Sequence, residues 1–133
     1  MLINISGSSG VGKTTISTII SLVLTNLKSR VLHLCGDDLH KWERGDDNWK
    51  TITHLNPKAN NLKLGEEQIT SLLMGKTIKR DHYDHNTGKF IKDLEITPQE
   101  ILINEGLHSL HSKNICKKGK LNIFVETEDE LKY

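Results

Sequence analysis

The chain reads as an α/β protein, a three-layer sandwich around a mainly parallel sheet, and three observations predict this. Gly7-Ser8-Ser9-Gly10-Val11-Gly12-Lys13-Thr14 fits the glycine-loop pattern G-x-x-x-x-G-K-[ST]. The loop stands between an apolar run, Leu2-Ile3-Asn4-Ile5-Ser6, and a stretch in which Ile16, Ile19, Ile20, Val23 and Leu27 recur at helical spacing. Further apolar runs at residues 31–35, 101–104 and 121–125 are separated by helical or long crossover segments, as parallel strands with right-handed connections require.

Strand, glycine loop and helix in that order are what a phosphate-binding loop needs, and they point to the fold of a P-loop NTPase. The glycines let consecutive N–H groups and the positive helix end face an anion, which a polyphosphate supplies. Gly7, Ser8, Ser9, Gly10, Val11, Gly12, Lys13, Thr14 and Thr15 are therefore the expected nucleotide-binding residues. Lys13 would neutralise the β and γ phosphates, and Thr14 would place its hydroxyl on Mg²⁺. A nucleoside triphosphate is the expected ligand.

At 133 residues the chain is expected to form one domain, 1–133, large enough for a real core but near the lower limit for a complete three-layer fold. With 18 basic and 17 acidic residues it has no global field to attract nucleic acid or an acidic membrane, so a small-molecule partner is expected. Cys35 and Cys116 are too few for a disulfide framework and show no metal-type spacing, which suits a reducing cytoplasm. The chain begins directly in a strand, without a basic region and long apolar stretch, so neither a signal peptide nor a membrane span is expected.

Residues 31–35, bounded by Gly36, read as a second buried parallel strand, with Asp37 and Asp38 leaving its carboxyl end, where open α/β sheets keep their ligands. The turn-rich, polar residues 45–61 predict a long functional loop. Leu62, Gln68, Ile69, Leu72 and Leu73 predict a helix stopped near Gly75. Asn86-Thr87-Gly88, between residues 78–83 and Phe90-Ile91, predicts a β-hairpin. Residues 101–104 form a third buried strand, ending at Glu105 and Gly106, and residues 121–125 a fourth. Cys35 reads as a small buried apolar residue, and Lys117, Lys118 and Lys120 as a solvated turn.

Four short motifs follow the glycine loop in order: Gly36-Asp37-Asp38-Leu39-His40 with Arg44; Asn56-Pro57-Lys58-Ala59-Asn60-Asn61; Tyr83-Asp84-His85-Asn86-Thr87-Gly88; and Ile101-Leu102-Ile103-Asn104-Glu105-Gly106-Leu107-His108. With them the chain resembles the phosphoribulokinase and uridine kinase family of P-loop kinases over residues 1 to about 131, and is most similar to phosphoribulokinases. The resemblance implies ATP and Mg²⁺, a catalytic base at Asp37, and sugar-phosphate contacts at His40 and Arg44. It further implies substrate contacts at Tyr83, His85 and His108. Plant-type phosphoribulokinases carry a regulatory cysteine in the loop; this loop has none, so thioredoxin-type switching is not expected. The family also continues past the fourth strand into an arginine-bearing lid. The resemblance thus implies a fold incomplete at the C-terminus, with weak nucleotide binding through the phosphates and low turnover unless another surface, such as that of a homo-oligomer, completes it.

Phosphoryl transfer to a hydroxyl needs charge neutralisation, in-line positioning and a group to take the proton. On the resemblance Lys13 and Asp37 would divide that catalytic work, with a helix cap or turn acid as the other reading of Asp37, which also stands with Thr14 and Glu105 in the candidate metal set. Glu105, ending an apolar strand, needs a partner for its charge, either Mg²⁺ or a salt bridge. Asp38 is left between a metal's outer surroundings and a solvated carboxylate. His40 and Arg44 share a face if their segment is helical, and otherwise read as surface residues. Tyr83 and His85 alternate on one side of the hairpin, facing substrate or solvent. His108 and His111 have a chelating spacing but no recognisable third ligand.

The leading functional reading is an ATP-dependent kinase acting on a hydroxyl of a pentose phosphate or related sugar. A uridine or cytidine kinase is the alternative within enzymes, and a non-catalytic nucleotide-binding module the alternative outside them. No N-K-x-D or T-K-x-D guanine signature occurs, which disfavours a GTPase.

Overall fold

A computed structural model describes residues 1–8 and 12–126. Its elements run β1 (Leu2–Gly7), α1 (Lys13–Asn26), β2 (Val31–Cys35), α2 (Leu62–Leu73), β3 (Ile78–Asp84), β4 (Lys89–Ile96), β5 (Ile101–Glu105), α3 (Lys113–Lys118) and β6 (Gly119–Val125). The chain divides into two units, Met1–Cys35 with Gln99–Tyr133, and Gly36–Pro98.

The first unit is built on a parallel sheet in the order β2-β5-β1-β6. Its central strands β1 and β5 are buried along their whole length. A strand covered on both faces has no solvent side, which is why both lack a strict polar alternation. On one face Ile3, Ile5, Ile101, Ile103 and Val125 form the core, against which Ile16, Ile20 and Leu24 of α1 pack. Ile19, Val23 and Leu27, expected on the packed stripe, are instead 54%, 52% and 71% exposed. On the other face Ser6 donates to the Leu107 carbonyl at 2.9 Å and Asn4 to that of Ile115 at 3.2 Å, so the segment carrying α3 supplies the third layer.

Three local expectations need correction. β2 is an edge strand, and only Leu34 in it is buried; Cys35 is accordingly half-buried. Lys117 and Lys118 close α3, where cations suit the carbonyl end of a helix, and Lys120 belongs to β6, so these lysines do not form a turn.

Three asparagines cross the sheet in register, Asn104, Asn4 and Asn122. Asn104 Nδ2 donates to Asn4 Oδ1 at 3.0 Å, Asn4 Nδ2 to Asn122 Oδ1 at 2.8 Å, and Asn122 Nδ2 to the Cys116 carbonyl at 2.9 Å. A buried amide survives only when its donors and acceptors are used, and this chain of amides uses them to join β5, β1, β6 and α3.

The second unit packs α2 beside the antiparallel β3–β4 hairpin. Gly65, Gln68, Ile69 and Leu72 form the buried face of α2. Gln68 takes a hydrogen bond from Arg80 Nη1 at 2.9 Å and donates to the Lys79 carbonyl at 3.2 Å, tying helix to strand. The hairpin turns through Gly88, whose φ of +70° favours glycine. Asp84 accepts from the Asn86 amide and the Thr87 hydroxyl. The long loop 45–61 contains two short 3-10 turns, Asp47–Lys50 capped by Asp46 and Pro57–Ala59 capped by Asn56. Among the described residues no helix is long and apolar enough to cross a membrane.

Replacing Asn4 by Ala should strand the Asn104 donor inside the sheet and break the link to the exposed Asn122. At about 1–3 kcal/mol for a buried group left without a partner, urea denaturation should show a loss of about 1–3 kcal/mol. Unchanged stability would mean that the amide chain carries no weight.

Candidate active site

In the first unit α1 begins at Lys13 directly after Gly12, whose φ of +94° is a left-handed conformation. Among the described residues no side chain caps this helix start and no acid lies in its first turn. Its first N–H groups and its dipole are thus available to an anion. Lys13 Nζ donates to the Ser8 carbonyl at 3.0 Å, holding the ammonium against the start of the loop. Thr15 is exposed on α1; Ser9, Gly10 and Val11 lie outside the described residues.

Glu105, 5% exposed, gathers three side chains. Its Oε1 accepts from Thr14 Oγ1 at 2.9 Å, and its Oε2 lies 3.1 Å from Ser17 Oγ and 2.7 Å from His33 Nε2. Register explains the last contact: His33 on β2 is paired with Ile103 on β5, and Glu105 lies two residues further along, so alternation turns both side chains towards α1. The hydrogen bond from His33 holds the Glu105 carboxyl below its usual range, helped by Thr14 and Ser17 and opposed by burial. An ionised carboxylate beside a hydroxyl is a pair of hard oxygen donors, which fits Mg²⁺ completed by nucleotide oxygens and water. His108 stands in the turn after β5, its ring edge-on to His111 at 6.3 Å. Among the described residues no group of three His, Cys, Asp or Glu side chains could hold a metal.

The second unit brings Asp37, His40, Arg44, Tyr83 and His85 into one cluster. Asp37 Oδ2 is 3.0 Å from His85 Nε2 and Oδ1 is 3.7 Å from His40 Nε2, yet the carboxylate side chain remains 46% exposed. The His40 ring is edge-on to Trp49 at 5.6 Å and to Tyr83 at 5.5 Å, and burial lowers its pKa although Asp37 pulls the other way. It is therefore no plain surface residue. Tyr83 and His85 do share one side of the hairpin, with ring centroids 5.0 Å apart.

Arg44 Nη2 donates to the His85 carbonyl at 2.6 Å, and the Arg44 amide to the Gly88 carbonyl at 2.8 Å. A β-carbon at position 88 would collide with the Arg44 side chain, a second reason for glycine there. His40 and Arg44 do not share a helical face: after a 3-10 turn at Gly36–Leu39, His40 bridges to Asn60 and the chain bends at Lys41 and Trp42 before turning at Arg44 and Gly45. Asn56 and Asn60 of the 56–61 motif hold its loop together. Asn56 caps the Pro57–Ala59 turn and Asn60 Nδ2 donates to the carbonyls of His54 and Asn56.

Asp38 is not a solvated carboxylate. Its side chain is 11% exposed and meets Arg80 Nε at 3.5 Å, His82 Nδ1 at 3.0 Å and the Tyr83 amide at 2.8 Å, so it anchors the hairpin that presents Tyr83. Sequence reasoning also missed His33, Ser17 and Trp49. A histidine inside the apolar run Val-Leu-His-Leu-Cys was the available signal for the first.

A sequence model described as "Phosphoribulokinase / Uridine kinase family" matches residues 2–133. Phosphoribulokinase of Synechocystis sp. is 31% identical over 134 residues, covering 99% of this chain and 39% of that protein. Uridine kinase of Mycoplasma genitalium is 33% identical over 133 residues, covering 98% of this chain and 62% of that protein. The chain thus spans about two fifths to three fifths of the length of these relatives. The solved phosphoribulokinase from Rhodobacter spheroides superposes with a TM-score of 0.76 at 21% identity, over 92% of this chain and 50% of that one, a likeness of fold. With the ordered motifs and the parallel sheet behind its glycine loop, this chain belongs to the phosphoribulokinase / uridine kinase family.

Proposed function

We propose that this chain carries the chemistry of an ATP-dependent kinase that moves the γ-phosphate to a hydroxyl of a pentose phosphate or closely related sugar. The observation that carries this reading is Asp37, a half-exposed carboxylate flanked by His85 and His40, with Arg44 fastened to the same hairpin. Asp37 accepts the proton of the acceptor hydroxyl as that oxygen bonds to the γ-phosphorus and the bond from phosphorus to the β–γ bridging oxygen breaks. His85 and His40 orient the carboxylate. Arg44 has a planar fork of five N–H donors, one of which goes to His85, and grips a phosphate already on the sugar.

Lys13 and the start of α1 hold the transferring phosphates, while Thr14 and Glu105 offer their oxygens to Mg²⁺. When bound, the cation neutralises charge on the phosphates. His108 is kept as a further acceptor contact on resemblance alone. A uridine or cytidine kinase is the second reading, favoured by the edge-to-face rings of Tyr83, His85 and Phe90, which would suit a planar base.

Lys13→Ala should weaken Mg·ATP binding strongly in calorimetry, and an unchanged affinity would refute the nucleotide site. Asp37→Asn should lower kcat by roughly 10²-fold or more, the scale of a lost general base, with nucleotide affinity intact. Equal turnover in that variant excludes the role. A coupled ADP-release screen of ribulose 5-phosphate, other pentose phosphates, uridine and cytidine separates the two acceptors. Arg44→Ala should raise KM for a phosphorylated acceptor; turnover of neutral nucleosides alone, with Arg44→Ala silent, would replace the sugar-phosphate reading with the nucleoside one.

A further inference from the structure

We propose that His33 is a positioning residue for the cation site: its Nε2–H fixes Oε2 of Glu105, so that Oε1 stays beside the Thr14 hydroxyl as half of the oxygen pair offered to Mg²⁺. The inference rests on the roles given above to Thr14 and Glu105. The terminal torsion of a glutamate is soft, so a carboxylate keeps one oxygen aimed only if the other is held. Ser17 cannot do this alone. Its hydroxyl has one proton and two acceptors in reach, the Thr14 carbonyl at 3.0 Å and Glu105 Oε2 at 3.1 Å. His33 stands closer, at 2.7 Å, and an ionised carboxylate only accepts, so the imidazole nitrogen facing it carries the proton.

Packing gives no competing reason for a histidine here. β2 is an edge strand, the His33 side chain is 32% exposed, and its neighbours Leu32 and Leu34 are apolar. Its register position, diagonal to Glu105 on the face turned to α1, is where a donor can reach Oε2. Groups that hold a metal-binding carboxylate from behind commonly govern metal affinity by about 10–100-fold when removed.

The test uses the full chain and reads ATP affinity by calorimetry in EDTA and across a Mg²⁺ series. His33→Val, a residue that edge strands hold well, should raise the Mg²⁺ concentration needed to strengthen ATP binding by about tenfold or more, with affinity in EDTA unchanged. His33→Gln, whose amide can donate from a similar position, should restore most of the wild-type dependence. His33→Leu serves as the donor-free variant if melting shows that His33→Val is unfolded. A wild-type Mg²⁺ dependence in the donor-free variant overturns the proposal, as does a glutamine variant no better than valine, which would assign the effect to the ring's bulk. Glu105→Gln separates the two levels. If it leaves the Mg²⁺ dependence intact, the cation site itself is misplaced and the role of His33 falls with it; if it abolishes the dependence while His33→Val does not, only the role of His33 is lost.

Discussion

The Glu105 carboxylate, whose backbone belongs to β5, takes its hydrogen bonds from Thr14 and Ser17 on α1 and from His33 on β2. A buried carboxylate without such partners costs several kcal/mol, so this arrangement constrains the elements that supply them. It sets the roll of α1. With Ser17 fully buried against Glu105, the row Ile16, Ile20 and Leu24 is turned to the sheet, Ile19 and Val23 fall on the far side, and Leu27 lies past the helix end at Asn26. The same roll places the Thr14 hydroxyl beside Glu105. Core packing and the proposed phosphate site thus depend on the same cluster of hydrogen bonds at Glu105.

Much of this was legible in the sequence where the signal is local. The apolar runs announced all four strands of the sheet, the glycine loop announced the start of α1, and Asn-Thr-Gly announced the hairpin turn. What stayed hidden depends on register and roll. Ile19, Val23 and Leu27 are as apolar as the residues that pack, and helical spacing gives a period without a phase. Val31–Cys35 is apolar enough for a central strand, yet strand order puts it at the edge. His33 meets Glu105 only because β2 pairs with β5 in one particular register, 72 residues away along the chain. Asp37, His40, Arg44, Tyr83 and His85 could be singled out one by one from the motifs, but their mutual contacts arise when the hairpin turns back on the Gly36–Arg44 segment.

Asp37 and Asp38 show how two adjacent carboxylates are given different work by their surroundings. Adjacent side chains leave the backbone in different directions, and here one meets strand β3 of the hairpin while the other meets His85 in its turn. Asp38 spends its oxygens on Arg80, His82 and the Tyr83 amide, so it is committed to structure. Asp37 meets the imidazoles of His40 and His85 and keeps nearly half of its side chain open, so it retains lone pairs for a proton. The first acid makes the second usable: by holding the Tyr83 amide, Asp38 fixes the strand whose continuation brings His85 to Asp37, and the His85 carbonyl in turn receives Arg44. Within the second unit, the candidate base and the candidate phosphate grip therefore share one support, and disturbing the Asp38 anchor should displace both together.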